Sequence, residues 1–137
     1  MHTLLGFDFG PRKIGVAVGQ SLTRSATPLT TLRSRNQQPD WLGIAALIQE
    51  WQPAALVVGL PFNMDDTEVD WSPLVHRFAR QLHGRFGLTV HLVDERLTSI
   101  EARHQLAARP GSRPPTREAV DALAAALILE TWLCEQP

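Results

Sequence analysis

Leu4-Leu5-Gly6-Phe7-Asp8-Phe9-Gly10-Pro11-Arg12-Lys13-Ile14-Gly15-Val16-Ala17-Val18-Gly19 is the stretch whose reading decides the fold. Two short runs rich in β-branched and aromatic residues, Thr3 to Phe9 and Lys13 to Gly19, flank Gly10-Pro11-Arg12, and the pattern predicts a hairpin. Alternation along the first run sets Phe7 and Phe9 on one face and Asp8 with Gly6 on the other. A charged carboxylate inside an apolar strand is unfavourable unless it meets a cation, a donor cluster or a metal. Were Asp8 alone, a bond to the Gly10-Pro11 turn would account for it.

Outward from the hairpin, Thr27 to Arg33 reads as a third strand. Pro39 to Trp51 switches to helical spacing, with Trp41, Leu42, Ala45, Leu47 and Ile48 on one side and Pro53 as the stop. Ala54 to Leu60 is a continuous apolar run, the mark of a strand buried on both faces. Ser72-Pro73 has the form of an N-cap followed by proline at the first helical position, and Leu74, Phe78, Leu82 and Phe86 follow at four-residue spacing. This helix is expected to end between Gly84 and Gly87. Leu88 to Val93 makes a fifth strand, and Thr98 with Glu101 has capping-box spacing for a short helix to about Ala108. After an arginine, glycine and proline loop from Arg109 to Pro115, Thr116 can cap a last helix whose apolar stripe is Val120, Leu123, Ala124, Leu127 and Ile128. The expectation is an α/β fold, a mixed five-stranded sheet with helices packed on it, in one domain over residues 1–137.

Composition narrows the function classes. The chain has 137 residues, 44% hydrophobic, which is enough for one ordinary core. No apolar run is long enough to span a bilayer and no basic leader precedes the first strand, so a cytoplasmic protein without membrane partners is expected. The one cysteine, Cys134, excludes an internal disulfide and a cysteine-based zinc site. A net charge of −1 gives no argument for tight non-specific polyanion binding. Twelve of the thirteen basic residues are arginine, whose planar forks suit phosphate, although Arg77, Arg80 and Arg85 read as solvation of a helix face. The five histidines lack metal-ligand spacing, and the four tryptophans read as core.

Two further acids stand in apolar settings. Leu92-Val93-Asp94-Glu95-Arg96 ends a strand in two carboxylates at the kind of edge where α/β proteins place their sites. One of the two can pair with Arg96 or cap the next helix while the other faces a site. Asp121 lies in an otherwise apolar helix among Ala122, Ala124, Ala125 and Ala126, and taken alone it would be read as a macrodipole partner. Three acids from three elements would together make an oxygen site suited to Mg²⁺ or Mn²⁺, and hence to phosphoryl chemistry. Asp8-Phe9-Gly10 is also a kinase tripeptide, but no catalytic loop or glycine-rich nucleotide loop accompanies it.

Four motifs then fall in register: Asp8-Phe9-Gly10 with Ile14-Gly15-Val16-Ala17; Val58-Gly59-Leu60-Pro61 with Asn63-Met64-Asp65; Asp94-Glu95-Arg96-Leu97-Thr98; and Val120-Asp121 with Ala124 to Leu129. In order and spacing they resemble the YqgF (RuvX) family over nearly the whole chain. The resemblance implies an RNase H-like fold related to Holliday-junction resolvases. It also implies a cytoplasmic nuclease of 5′-end maturation of pre-16S rRNA, with RNA favoured over branched DNA and ribosomal precursor particles as further partners. Carried over, Asp8, Glu95 and Asp121 are the catalytic and metal-holding acids. Gly10, Arg12, Asn63, Arg96, Thr98, Arg113 and Arg117 are candidates to contact substrate, with Gly59, Leu60 and Pro61 lining the site. Two departures stand out: Asp66 where the family often has glycine, and a loop from Arg109 to Arg117 with no lysine.

Cleavage of branched DNA, which requires a symmetric dimer, competes with RNA trimming by a monomer or weak dimer. An ATP-binding domain and a non-catalytic RNA or ribosome-binding factor are readings from other classes. For the enzyme, replacing any of the three acids by its amide is expected to abolish cleavage while leaving unfolding unchanged or raised, because like charges are relieved.

Overall fold

The computed structural model describes residues 2–61, 69–94 and 117–136. Within them lie β1 (Thr3–Phe9), β2 (Lys13–Gln20), β3 (Ser25–Arg33), α1 (Trp41–Trp51), β4 (Ala55–Leu60), α2 (Ser72–Phe86), β5 (Thr89–Asp94) and α3 (Arg117–Glu135). The expected helix from Thr98 to Ala108 and the Thr116 cap lie outside the described residues. The strands form one sheet in the order β3-β2-β1-β4-β5. β1, β2 and β3 pair antiparallel, whereas β1, β4 and β5 run parallel, so these last three strands end at the same edge. β3, at the other side of the sheet, carries Pro28 beside a register shift, and an edge strand tolerates the missing N–H.

The hairpin forms as the sequence predicts. Gly10 N–H donates to Lys13 C=O at 3.0 Å, and a side chain on Gly10 would meet that carbonyl at 2.9 Å. Register pairs Phe7 with Val16, Asp8 with Gly15 and Phe9 with Ile14. Because opposed residues share a face, the sheet has two sides of different character. On one, Leu5, Phe7, Phe9, Ile14, Val16, Val18, Leu56 and Val58 pack with α1 and α2 into the main core, where Phe7 and Phe78 meet edge to face at 5.7 Å. Each such side chain, fully buried, contributes about 1.5–3 kcal/mol.

The other side is shaved down. Gly6, Gly15, Ala17 and Gly19 leave no side-chain layer on the middle of β1 and β2, and α3 lies directly on the backbone. Side chains added at Gly6 and Gly19 would strike Leu129, at 2.9 and 2.7 Å from its nearest atoms. The helix answers with small residues: Ala122, Ala124, Ala125 and Ala126 are all buried, with Val120, Leu123, Ile128, Leu129 and Leu133 filling the flanks. Burial on α3 is therefore broader than the expected stripe, and Leu127 is only partly buried. Contacts in chain order, Asp121 over Gly15, Ala125 over Gly6 and Leu133 over Gly19, show that α3 runs back along β1. Its N-terminal turns therefore stand at the edge where the parallel strands end.

Three local expectations are corrected. On α1, Leu42 is 86% exposed and Ile44 is the buried anchor, because the helix begins at Trp41 with Asp40 as its N-cap, accepting from Gly43 N–H at 3.0 Å. On α2, Leu74 faces outward and Val75 takes its place beside Phe78, Ala79 and Leu82. Ser72 is a buried first-turn residue and Trp71 occupies the cap position without a side-chain bond, so proline falls one place later than expected. No helix among the described residues is long and apolar enough to cross a membrane.

Candidate active site

β1 delivers Asp8 to the α3 side of the sheet, half-buried, one residue before the strand ends. Its cross-strand partner is Gly15, against which the α3 backbone packs directly. A side chain there would overlap the carbonyl of Asp121 and stand 2.9 Å from the Ala122 nitrogen. Glycine at position 15 thus lets α3 settle low enough to set Asp121 beside the Asp8 strand end. Asp8 and Asp121, 113 positions apart in sequence, share one face and one end of the sheet.

Asp121 is not alone. Lys13 Nζ lies 2.9 Å from its Oδ2, with the two side chains 24% and 22% exposed. Lys13 belongs to the same face because it stands two residues before Gly15 on β2. The buried Oδ2 lies against this ammonium and takes no hydrogen bond from a second donor among the described residues. Lys13 was absent from the sequence-derived set. The one signal for it was its place as the chain's only lysine, on the Asp8 side of the hairpin.

The remaining candidates divide. Asp94 is exposed and pairs in register with Leu60. Its neighbour Val93 packs with Val57, Ile128 and Leu129 on the α3 side, so Asp94 is on the opposite face from Asp8 and Asp121. Gly10 serves the hairpin turn, Arg12 is exposed on it, and Arg117 opens α3. Leu60 and Pro61 end β4 at the shared edge. Glu95, Asn63, Asp66, Arg96, Thr98 and Arg113 lie outside the described residues. Among the described residues no three His, Cys, Asp or Glu side chains cluster as a metal site.

A protein of Azotobacter vinelandii named "Putative pre-16S rRNA nuclease" is 54% identical over 134 residues, 98% of this chain and 94% of its own length. One of the same name from Pseudomonas syringae pv. syringae is 51% identical over 138 aligned positions, covering 100% of this chain and 94% of that one. Among solved structures, Thermus thermophilus RuvC in complex with a Holliday junction substrate superposes with a TM-score of 0.59 at 17% identity, covering 98% of both chains. At that identity it shows the fold, the RNase H-like arrangement of a resolvase. The family model described as RuvX, Holliday junction resolvase, matches residues 2–135, and the chain belongs to that family.

Proposed function

We infer that this chain is a metal-dependent nuclease that hydrolyses phosphodiester bonds in nucleic acid, in 5′-end maturation of pre-16S rRNA, in the cytoplasm. The observation that carries the reading is the convergence of Asp8 and Asp121 on one face around Gly15, with Asp121 Oδ2 buried against the Lys13 ammonium. Oxygen-only donors of this kind fit Mg²⁺ or Mn²⁺. The names of the relatives from Azotobacter and Pseudomonas support RNA as the substrate.

We assign Glu95 as the third acid, as the family resemblance implies; its neighbour Asp94 occupies the α1 and α2 face. A bound divalent ion would supply Lewis acidity and an activated water for in-line displacement at phosphorus. The chain's own residues do the rest. Asp8, fixed by the hairpin ladder, and Asp121, fixed by close packing of α3, hold donors at a set separation without rearrangement. Lys13 pairs with Asp121, and were a metal held by the acids its ammonium would be available to a substrate phosphate. The α3 N-terminus points its dipole at the same edge, which favours a phosphate there. Arg12, exposed on the hairpin turn that follows β1, is a candidate contact to the nucleic-acid backbone, with Arg96, Thr98, Arg113, Asn63 and Arg117 as further contacts.

Branched DNA is the second reading, favoured by the family description and the resolvase fold. The deciding experiment incubates the purified protein with 5′-extended pre-16S RNA and with a synthetic four-way DNA junction, each with Mg²⁺, Mn²⁺ or EDTA, beside Asp8→Asn. Metal-dependent RNA cleavage lost in the variant is expected. Symmetric junction cleavage by a dimer would move the substrate to DNA, and cleavage surviving Asp8→Asn would overturn the assigned site.

A further inference from the structure

On the reverse of the β1 strand end, away from the acids, lies a cavity of about 330 Å³. It sits between the hairpin turn, the 35–38 turn and one face of α2, and its volume is at the small end of ligand pockets. Phe9, Leu74 and Phe78 form an apolar floor, and Leu74 is the large hydrophobic residue that α2 leaves exposed. Two guanidinium groups, Arg12 and Arg77, line it together with the amides of Asn36, Gln37, Gln38 and Gln81. No carboxylate among the described residues lines it.

The 35–38 turn is built to present those amides. Arg35 and Gln38 exchange backbone hydrogen bonds of 3.0 and 2.8 Å, and Asn36 and Gln37 both take positive φ, 50° and 63°. That is the backbone of a tight two-residue hairpin turn, at ease with asparagine and uncommon for glutamine. On α2, positions 74, 77, 78 and 81 are one helical face, so Leu74, Arg77 and Gln81 reach the cavity together.

We propose that this cavity is a nucleotide subsite that takes one nucleotide flanking the scissile bond of a single-stranded segment. The flat apolar faces of a base fit the Leu74 and Phe9 floor, its polar edge meets the amides, and its phosphates meet Arg12 and Arg77. A recess with two cations, four amides and no described anion is complementary to that chemistry. Position supports it further. Phe9 follows Asp8 directly, and the two face opposite sides of one strand end, so a strand held at the acids reaches the cavity by crossing the Gly10-Pro11-Arg12 turn. Arg77 thereby gains a role that its helical surface position did not suggest. The proposal rests on the nucleic-acid reading above.

The test is fluorescence anisotropy with a labelled 5′-extended single-stranded RNA, Ca²⁺ replacing Mg²⁺ to hold back cleavage. Arg77→Ala and Arg80→Ala remove the same charge from exposed positions on α2, but only Arg77 lines the cavity. Arg77→Ala should weaken binding about 10-fold and lower the salt slope by about one ion, and Arg80→Ala should change it less than about twofold. Gln81→Glu, which places a carboxylate in the recess, should weaken it at least as much. Equal effects of Arg77→Ala and Arg80→Ala, with wild-type binding intact, would overturn the subsite and leave the nuclease reading standing. Absence of wild-type binding to any RNA would remove both.

Discussion

Replacing Gly15 by alanine puts the whole construction under load at one atom. The new Cβ would overlap the Asp121 carbonyl and stand 2.9 Å from Ala122 N, whereas ordinary contact begins near 3.4 Å. All of the opposing atoms are helix backbone, so no side chain can swing away and α3 itself must retreat. The retreat is on the order of 1 Å, because an interior packed to crystal density has no spare volume to absorb it. Overpacking of this kind costs about 1–3 kcal/mol, and a rigid backbone opponent argues for the upper end. Lower chain entropy in the unfolded state returns about 0.4–1 kcal/mol. A net loss of about 2 kcal/mol should lower Tm by roughly 6–8 °C for a domain of this size. The same displacement carries Asp121 away from Asp8, and a misplacement near 1 Å can cost about 100-fold in rate. Differential scanning calorimetry with parallel metal-dependent cleavage assays measures both effects. If Gly15→Ala kept its Tm within about 2 °C and its rate within about threefold of wild type, the close docking of α3 would not be what positions Asp121.

Gly84→Ala is the matched control: no atom lies within 4 Å of the added methyl on exposed α2, so urea unfolding should show a gain of about 0.5–1 kcal/mol with activity unchanged. Lys13→Met removes the ammonium but keeps most of the stem. It should destabilise the metal-free protein by about 1–2 kcal/mol, between the values for exposed and buried pairs, while tightening Mn²⁺ binding in a calorimetric titration. Asp121→Asn should also lower metal-free stability, by about 1 kcal/mol in the same unfolding assay, since Lys13 loses its partner. That revises the expectation that amide substitution of an acid leaves stability unchanged or raised. Among the described residues the charge against Asp121 is a cation, Lys13.

The local periodicities told most of the fold. Strict alternation in Thr3 to Phe9 and Lys13 to Gly19 predicts two faces, and the structure fills one with Leu5, Phe7, Phe9, Ile14 and Val16. Asp8 was legible for the same reason, as a charge where the pattern called for an apolar or small residue. The glycines of the opposite face were harder to interpret, because their meaning lies in what approaches them, and Gly15 explains itself only once α3 is in place. Leu42 and Leu74 misled because a helical repeat of leucines marks a face only after the starting residue is known, and both helices begin where a one-residue shift changes which leucine is buried. Lys13 escaped notice because an ion pair between a strand and a helix more than a hundred residues later leaves no spacing signature in sequence. The cavity beside Arg77 is likewise a product of three elements meeting.

That Asp8 and Asp121 belong to one metal centre is tested most directly by titrating Mn²⁺ into the purified protein and into Asp8→Asn, Asp121→Asn and the double variant, following bound metal by calorimetry. A shared centre predicts that each single substitution removes most of the affinity and that the double variant is little worse than either, since ligands of one ion do not act independently. Unchanged affinity in either single variant, or losses that simply add in the double, would contradict the account.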